Sequence, residues 1–330
     1  TIKKTDMSRN NKLTQRIFRA FILGLLVLSP ALLLAQSRTL PILEENPDAR
    51  SMAMGNVSLM STNRNYLYVN PSSIFYNGER YSASVNGTIF PKNDDVSGRL
   101  LYGNASAAWR FADRHAAFIG YRYLGGEKIA SVADQFGTPG NEIKPLDWSF
   151  DIGYSFKINN ELSAFATGSF IQSKPANKTA NAVSFGVGAN YRANVNIGDM
   201  QSQLNIAARV LDMGPQIEYD SNKYDLPTSA EASADITMPL SDINKLNIAV
   251  GSRYFFLPTD ASLFTVGAGA EYTYNSLVSA RMGYHYGENE SSRMTLGVGL
   301  NIEFISVDAA YSIANDTDFN MIHVGLTARF

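Results

Sequence analysis

The stretch DWSFDIGYSF, residues 147–156, has two unlike sides. Trp148, Phe150, Ile152, Tyr154 and Phe156 fall on one face of an extended chain, and Ser149, Asp151, Gly153 and Ser155 fall on the other. Strict alternation of this kind is the signature of a strand with one apolar and one polar face. The stretch is ten residues long, whereas strands of soluble proteins average ~5 to 6 residues and a tilted strand crossing a bilayer needs about 9 to 11.

The same theme recurs from residue 81 to residue 330. Alternating segments are expected at 81–90, 100–111, 115–124, 147–156, 161–171, 182–192, 202–212, 228–237, 246–256, 262–274, 277–286, 292–304, 305–313 and 320–330. That makes fourteen strands, with the boundary between Phe304 and Ile305 the least marked, because no Gly, Pro or Asn stands there. Their ends are rich in Tyr, Phe and Trp, as at Tyr81, Trp109, Trp148, Tyr272, Tyr284 and Phe304, which is the pattern of interfacial aromatic girdles. A soluble sandwich alternates too, but with shorter strands and no such girdles. The expected fold is therefore all-β, a 14-stranded antiparallel transmembrane barrel over residues 81–330. An even strand number returns the chain to the periplasmic side, so MIHVGLTARF (321–330) reads as the closing strand.

Composition narrows the function. The chain has 330 residues, 45% of them hydrophobic and 18% charged, with a formal net charge of -2 and no cysteine. No basic excess favours nucleic acid, and disulfides, thiolate metal sites and thiol nucleophiles are excluded. The three histidines, His115, His285 and His323, show no metal-ligand spacing, and no GxSxG is present, so neither enzyme activity nor a cofactor is expected. The acidic stretches NDD (93–95) and NDTD (315–318) read as solvated loops.

Residues 1–35 read as a secretory leader: Arg9, Lys12, Arg16 and Arg19 precede the apolar run Ala20–Ala35, which is interrupted by Pro30 and too short for a spanning helix. Residues 1–6, ahead of Met7, read as an upstream extension. A leader followed by a barrel implies the outer membrane of a Gram-negative bacterium, with outer-membrane lipid around the wall. Residues 36–80 do not alternate. They carry apolar pieces and two Asn-Pro pairs, Asn46-Pro47 and Asn70-Pro71, and are expected to pack in the lumen as a plug.

The inward face supplies the partners for such a plug. GVGAN, GAGAE and GVGLN place Gly186, Gly188, Gly267, Gly269, Gly297 and Gly299 inward, where missing side chains admit another backbone. Inward charges are expected at Arg122, Asp151, Arg253, Glu271, Arg281, His285, Glu303, Asp308, His323 and Arg329. Read structurally, they form an ion-pair network holding plug to wall; read functionally, a polar path. Keeping Glu271 and Arg281 both inward requires an odd-length turn. A turn at Tyr274–Ser276 puts Gly269 opposite Arg281 and Glu271 diagonal to it.

Several pieces resemble the PorV/PorQ branch of FadL-type outer-membrane barrels from Bacteroidota: ARSMAMGNVSLM (49–60), VNPSSIFY (69–76), residues 211–236 and residues 267–313. The outer loops are shorter than that branch usually carries. The resemblance implies a plugged fourteen-stranded barrel serving protein traffic as an accessory subunit of type IX secretion or an outer-membrane assembly machine, with protein partners in that complex. The wider family implies an alternative, a diffusion channel with a hydrophobic ligand, an apolar pocket and a break in the wall. Related barrels end on an aromatic that the insertion machinery reads, which gives Phe330 that expected role.

Overall fold

The computed structural model describes residues 38–91, 99–128, 140, 142–287, 292–314 and 320–330. The leader expected at 1–35 and the acidic stretches at 93–95 and 315–318 lie outside them. Strands β1 (Tyr81–Ile89), β2 (Leu100–Ala112), β3 (His115–Gly126), β4 (Leu146–Lys157), β5 (Leu162–Lys174), β6 (Ala180–Ile197) and β7 (Met200–Met213) form the first half of the wall. A small hairpin, β8 (Ile217–Tyr219) and β9 (Asn222–Tyr224), follows in what the alternation leaves as a plain loop. The wall continues with β10 (Ser229–Pro239), β11 (Asn244–Phe255), β12 (Leu263–Tyr274), β13 (Val278–Gly287), β14 (Arg293–Ile302), β15 (Ile305–Ala314) and β16 (Met321–Arg329).

The fourteen wall strands make one closed antiparallel barrel, each paired with the next and β7 with β10. β16 closes on β1 from Ser82↔Arg329 to Ile89↔Ile322. Phe330 completes the seam, its carbonyl accepting from the Arg80 and Tyr81 amides at 2.8 and 2.9 Å.

The wall is inside-out relative to a soluble protein, where large apolar side chains are the buried ones. In β4, Phe150 and Ile152 are 50% and 54% exposed while Ser149 and Asp151 are buried. Lipid supplies the missing apolar neighbour. Outward aromatics stack in bands at both ends: Tyr81–Trp109 (6.5 Å between centroids) and Trp109–Phe111 (5.4 Å) at the short-turn end, Tyr121–Trp148 (6.3 Å) and Trp148–Phe170 (5.8 Å) at the loop end. Barrels of this kind put short turns in the periplasm and long loops outside.

Two expectations need correction. Strand β14 stops at Ile302, and Glu303 and Phe304 form the turn to β15, with Glu303 at φ 47° and exposed. Glu303 is thus a turn residue at the periplasmic mouth instead of an inward wall charge. The loop between β12 and β13 is odd in length, but it is Asn275–Leu277, with Tyr274 paired to Val278. Glu271 therefore stands directly opposite Arg281, and Gly269 opposite Gly283, two residues from the expected register. Asn275 and Ser276 take positive φ (49° and 53°), which fixes the loop one residue later than strand ends alone suggest.

Residues 38–80 run through the lumen. They contain one short helix, α1 (Ala49–Ala53), and tight 3₁₀ turns at Pro41–Leu43 and Pro71–Tyr76.

Candidate functional site

The plug starts at the loop end and descends. Arg38 donates to the Ala261 carbonyl at 3.0 Å, lies 4.5 Å from the Phe255 ring centroid and pairs with Glu44 at 2.7 Å. Leu40, Ile42 and Leu43 then enter an apolar cluster with Tyr102, Leu124, Ile171, Ile217 and Leu226. Ile217 and Leu226 come from the β8–β9 hairpin segment, which thereby caps the lumen.

Below this lid the first Asn-Pro pair builds the start of α1. The Asn46 carboxamide oxygen accepts from the Asp48 amide (3.1 Å) and the Ser51 hydroxyl (2.9 Å), and Asp48 caps the helix by accepting from the Ser51 amide at 2.8 Å. Burial pushes the Asp48 carboxyl above its ordinary value, against the pull of that amide. The second pair, Asn70-Pro71, caps the Pro71–Tyr76 turn in the same way and ties it to the wall: Asn70 is fully buried and donates to the Asn190 side chain of β6 at 2.7 Å.

After α1 the chain turns at Gly55, with φ +73°, and presses its backbone against β12 and β13. A Cβ on Gly267 would lie 2.1 Å from the Gly55 carbonyl oxygen, one on Gly269 2.5 Å from that of Met54, and one on Gly283 2.1 Å from the Gly55 nitrogen. A Cβ on Gly297 would lie 2.5 Å from the Ala53 methyl. Three of the six expected glycines thus admit the plug. The others do not: Gly186 makes room for Thr167 and Leu211, Gly188 for Phe165 and Arg209, and Gly299 for the Arg281 guanidinium and Asp308.

Charges fix the plug at two levels. In the middle, Arg122 pairs with Asp151 (2.7 Å), which also accepts from the plug's Tyr68 hydroxyl (2.7 Å). Beside it Glu231 holds Arg209 (2.6 Å) and Arg253 (3.1 Å), and Asp212 lies 3.6 Å from Arg253. Arg209 and Arg253 in turn donate to the plug carbonyls of Tyr68 (3.0 Å) and Glu44 (3.2 Å). Nearer the periplasm, Arg50 grips Glu271 with two bonds (2.9 and 2.6 Å), Glu271 also binds Arg281, and Asp308 bridges Arg281 (2.8 Å) and Arg64. Both levels are cross-links between plug and wall, built from charge-assisted, partly bidentate bonds.

Of the expected inward charges, Arg122, Asp151, Arg253, Glu271, Arg281 and Asp308 therefore meet in ion pairs, and His323 is buried between Thr88 and Ser312. His285 is buried beside a small lumen cavity and joins none. Arg329 stands apart near the periplasmic mouth, 3.9 Å from Glu79. Sequence reasoning missed Arg50 and Arg64, which sit in a segment without period, and Arg209, Glu231 and Asp235. The last three were readable: the parity that faces Ser229 inward also faces Glu231 and Asp235 inward, and Asn205, Ala207 and Arg209 share one face.

Two of the lumen's cavities lie beside these charged groups. One, about 100 Å³, lies among Arg122, Asp151, Arg209, Glu231 and Arg253. The other is an open vestibule of about 700 Å³ at the periplasmic end, edged by Arg50, Arg64, Arg192, Lys245 and Arg329 against Glu79, Glu271 and Glu303. Beside the smaller cavity the β3–β4 ladder runs continuously from His115↔Phe156 to Gly125↔Leu146, while the β6–β7 ladder shifts register between Phe185↔Met213 and Val187↔Val210, at wall residues that line it.

Residues 35–262, plug and most of the wall together, match the family described as Type IX secretion system protein PorV. The chain belongs to that family. Its barrel is similar in fold to the Ralstonia pickettii toluene transporter TbuX (TM-score 0.58, 14% identity, 86% of this chain and 99% of that one). It is also similar to the P. putida toluene transporter TodX (0.57, 11%, 85% and 97%) and the monoaromatic hydrocarbon channel CymD (0.55, 12%, 89% and 99%). At these identities the likeness concerns the fold alone, a closed barrel of the same plan; with the PorV family match and the lipid-facing wall it supports an outer-membrane barrel. No curated protein sequence matches it.

Proposed function

We propose that this PorV-family barrel is a non-enzymatic accessory subunit of protein secretion or assembly at the outer membrane, working through its surfaces and not through its lumen. The observation that carries the reading is the lumen itself. A plug joined to the wall by buried ion pairs at one level and by charge-assisted hydrogen bonds at the other, under an apolar lid, leaves a middle cavity of about 100 Å³ in which Arg122, Asp151, Arg209, Glu231 and Arg253 interrupt the apolar Leu43, Leu67, Phe185 and Leu211. A channel for hydrophobic molecules on the FadL plan needs a continuous apolar pocket and a lateral break, whereas here every wall strand stays paired with its neighbours, with a bulge in the β6–β7 ladder at Phe185–Val187.

The test is purification of a tagged copy in mild detergent, with uptake of a monoaromatic hydrocarbon measured in a deletion strain. A stoichiometric complex with secretion or assembly proteins and unchanged uptake is the expected result. An isolated barrel together with lost uptake would replace this reading by the channel.

A further inference from the structure

The longest strand pair of the wall outruns its neighbours. β5 follows β6 only as far as Leu162↔Tyr191, and β10 follows β7 only to Thr237↔Gln203. Beyond these points β6 and β7 pair with each other alone, through Ile197↔Met200, and turn at Gly198–Asp199. Residues 192–202 therefore form a two-stranded ribbon past the periplasmic rim, with unpaired outer edges.

Backbone parity identifies which groups are free. With a two-residue turn, Ile197/Met200, Val195/Ser202 and Ala193/Leu204 exchange hydrogen bonds across the ribbon, so Arg192, Asn194 and Asn196 aim their N–H and C=O groups away from it. The Arg192 amide does so, donating to the Glu161 carbonyl at 2.7 Å. Asn194 and Asn196 continue that line with no strand beside them. Exposed edges are ordinarily blunted by Lys, Pro or a bulge. From Ala193 to Gln203 there is no Lys and no Pro, and one Asp at the turn.

The two sides of this edge differ in chemistry. On the vestibule side, at its base, Arg192 and Lys157 flank the Tyr76 ring at 4.9 and 5.7 Å from its centroid, and neither pairs with a carboxylate among the described residues. Lys245 adds a third cation on the same vestibule. On the lipid side Ile197 and, in the β4–β5 turn below the edge, Ile158 are 39% and 43% exposed.

We infer that the β6 edge at Asn194 and Asn196 is a strand-addition site for a periplasmic protein segment in which acidic residues alternate with apolar ones. Such a segment extends the line of β5: its backbone bonds Asn194 and Asn196, its carboxylates face Arg192 and Lys157, and its apolar side chains cover Ile158 and Ile197. A lipid or a helix offers no row of backbone partners. This surface is separate from the plugged lumen, and the inference goes beyond the accessory role proposed above.

Hydrogen exchange on the purified full chain in detergent tests it, with a blocked synthetic peptide alternating Glu and Val as probe and a Lys/Val peptide as control. The Glu/Val peptide is expected to slow exchange at Asn194 and Asn196 by about tenfold or more, and the Lys/Val peptide is not. The pair Asn194→Pro and Asn196→Pro, which carries no amide at either position, is read instead by exchange of the bound peptide's own amides and abolishes their protection, and Lys157→Glu with Arg192→Glu reverses the preference between the two peptides. Equal effects of the two peptides, protection that survives the prolines, or protection already complete without peptide through pairing of two copies would each overturn the inference.

Discussion

The two ends of the lumen are closed and opened by different chemistry. At the loop end, Leu40, Ile42, Leu43, Ile217 and Leu226 meet in an apolar seal that needs volume but little orientation. At the periplasmic end, Arg50, Arg64 and Glu271 border an open vestibule and, with Arg281 and Asp308 buried behind them, bind at defined angles. Between them, at Gly55, plug and wall touch backbone to backbone. The seal excludes water from one end, while the ionic level and the glycine contact set the rotation and depth of the plug. The non-conducting role proposed above needs both: one blocks the path, the other keeps the block in register.

The largest expected effect comes from the contact that fixes depth. Gly283→Val places side-chain atoms where the Gly55 backbone lies, and β13 is held by ladders on both sides. The plug must leave its seat. Loss of more than about 4 kcal/mol is expected, read as a collapse of heat resistance on semi-native electrophoresis and protease cleavage within residues 38–80. A variant with wild-type resistance would show that depth is set elsewhere.

Next comes the ionic level. Glu271→Gln leaves Arg50 and Arg281 buried without their shared carboxylate, and breaking one partner of a buried pair costs about 3–5 kcal/mol. Denaturant titration in detergent measures it. Replacing Glu271 and Arg50 together by Gln and Met should cost less than Glu271→Gln alone, since the orphaned Arg50 charge goes with its partner while Arg281 keeps Asp308. At the seal, Leu226→Ala should cost about 2–5 kcal/mol by cavity formation. Because the seal is apolar, it alone should also admit ion leakage in planar bilayers. Leakage from the Glu271 variant with none from the Leu226 variant would invert the assignment of the two ends.

Sequence legibility divides along the same line. The wall was readable because lipid outside and polar lumen inside impose period two on every strand, so strand number and facing follow from alternation alone. Where alternation stops, the signal stops. The charges of the plug, Arg50 and Arg64, have no period to place them, so the ion-pair network expected between plug and wall named Glu271 and Asp308 on the wall but not their plug partners. The β12–β13 register slipped by two residues because facing is unchanged by a two-residue shift, and only Asn275 and Ser276 at positive φ distinguish the loops. The ribbon at 192–202 was hidden for the opposite reason: alternation continues there although the wall does not.

The smallest effect is expected at Glu303, where parity pointed to the lumen and the structure gives a turn. A glutamate at φ 47° adopts the left-handed region that glycine enters freely, and its exposed side chain holds no ion pair among the described residues. Glu303→Gly removes that strain while loosening the unfolded chain, two terms of about 1 kcal/mol or less that oppose each other. Net stability should therefore stay within about 0.5 kcal/mol of wild type. Glu303→Gln keeps the strain and removes only the charge, and should be equally silent. Destabilisation of Glu303→Gln on the scale of Glu271→Gln would mean that Glu303 reaches Arg64 or Arg329 across the vestibule, so that the open end carries a third ionic level and the contrast between the two ends is greater than the geometry gives.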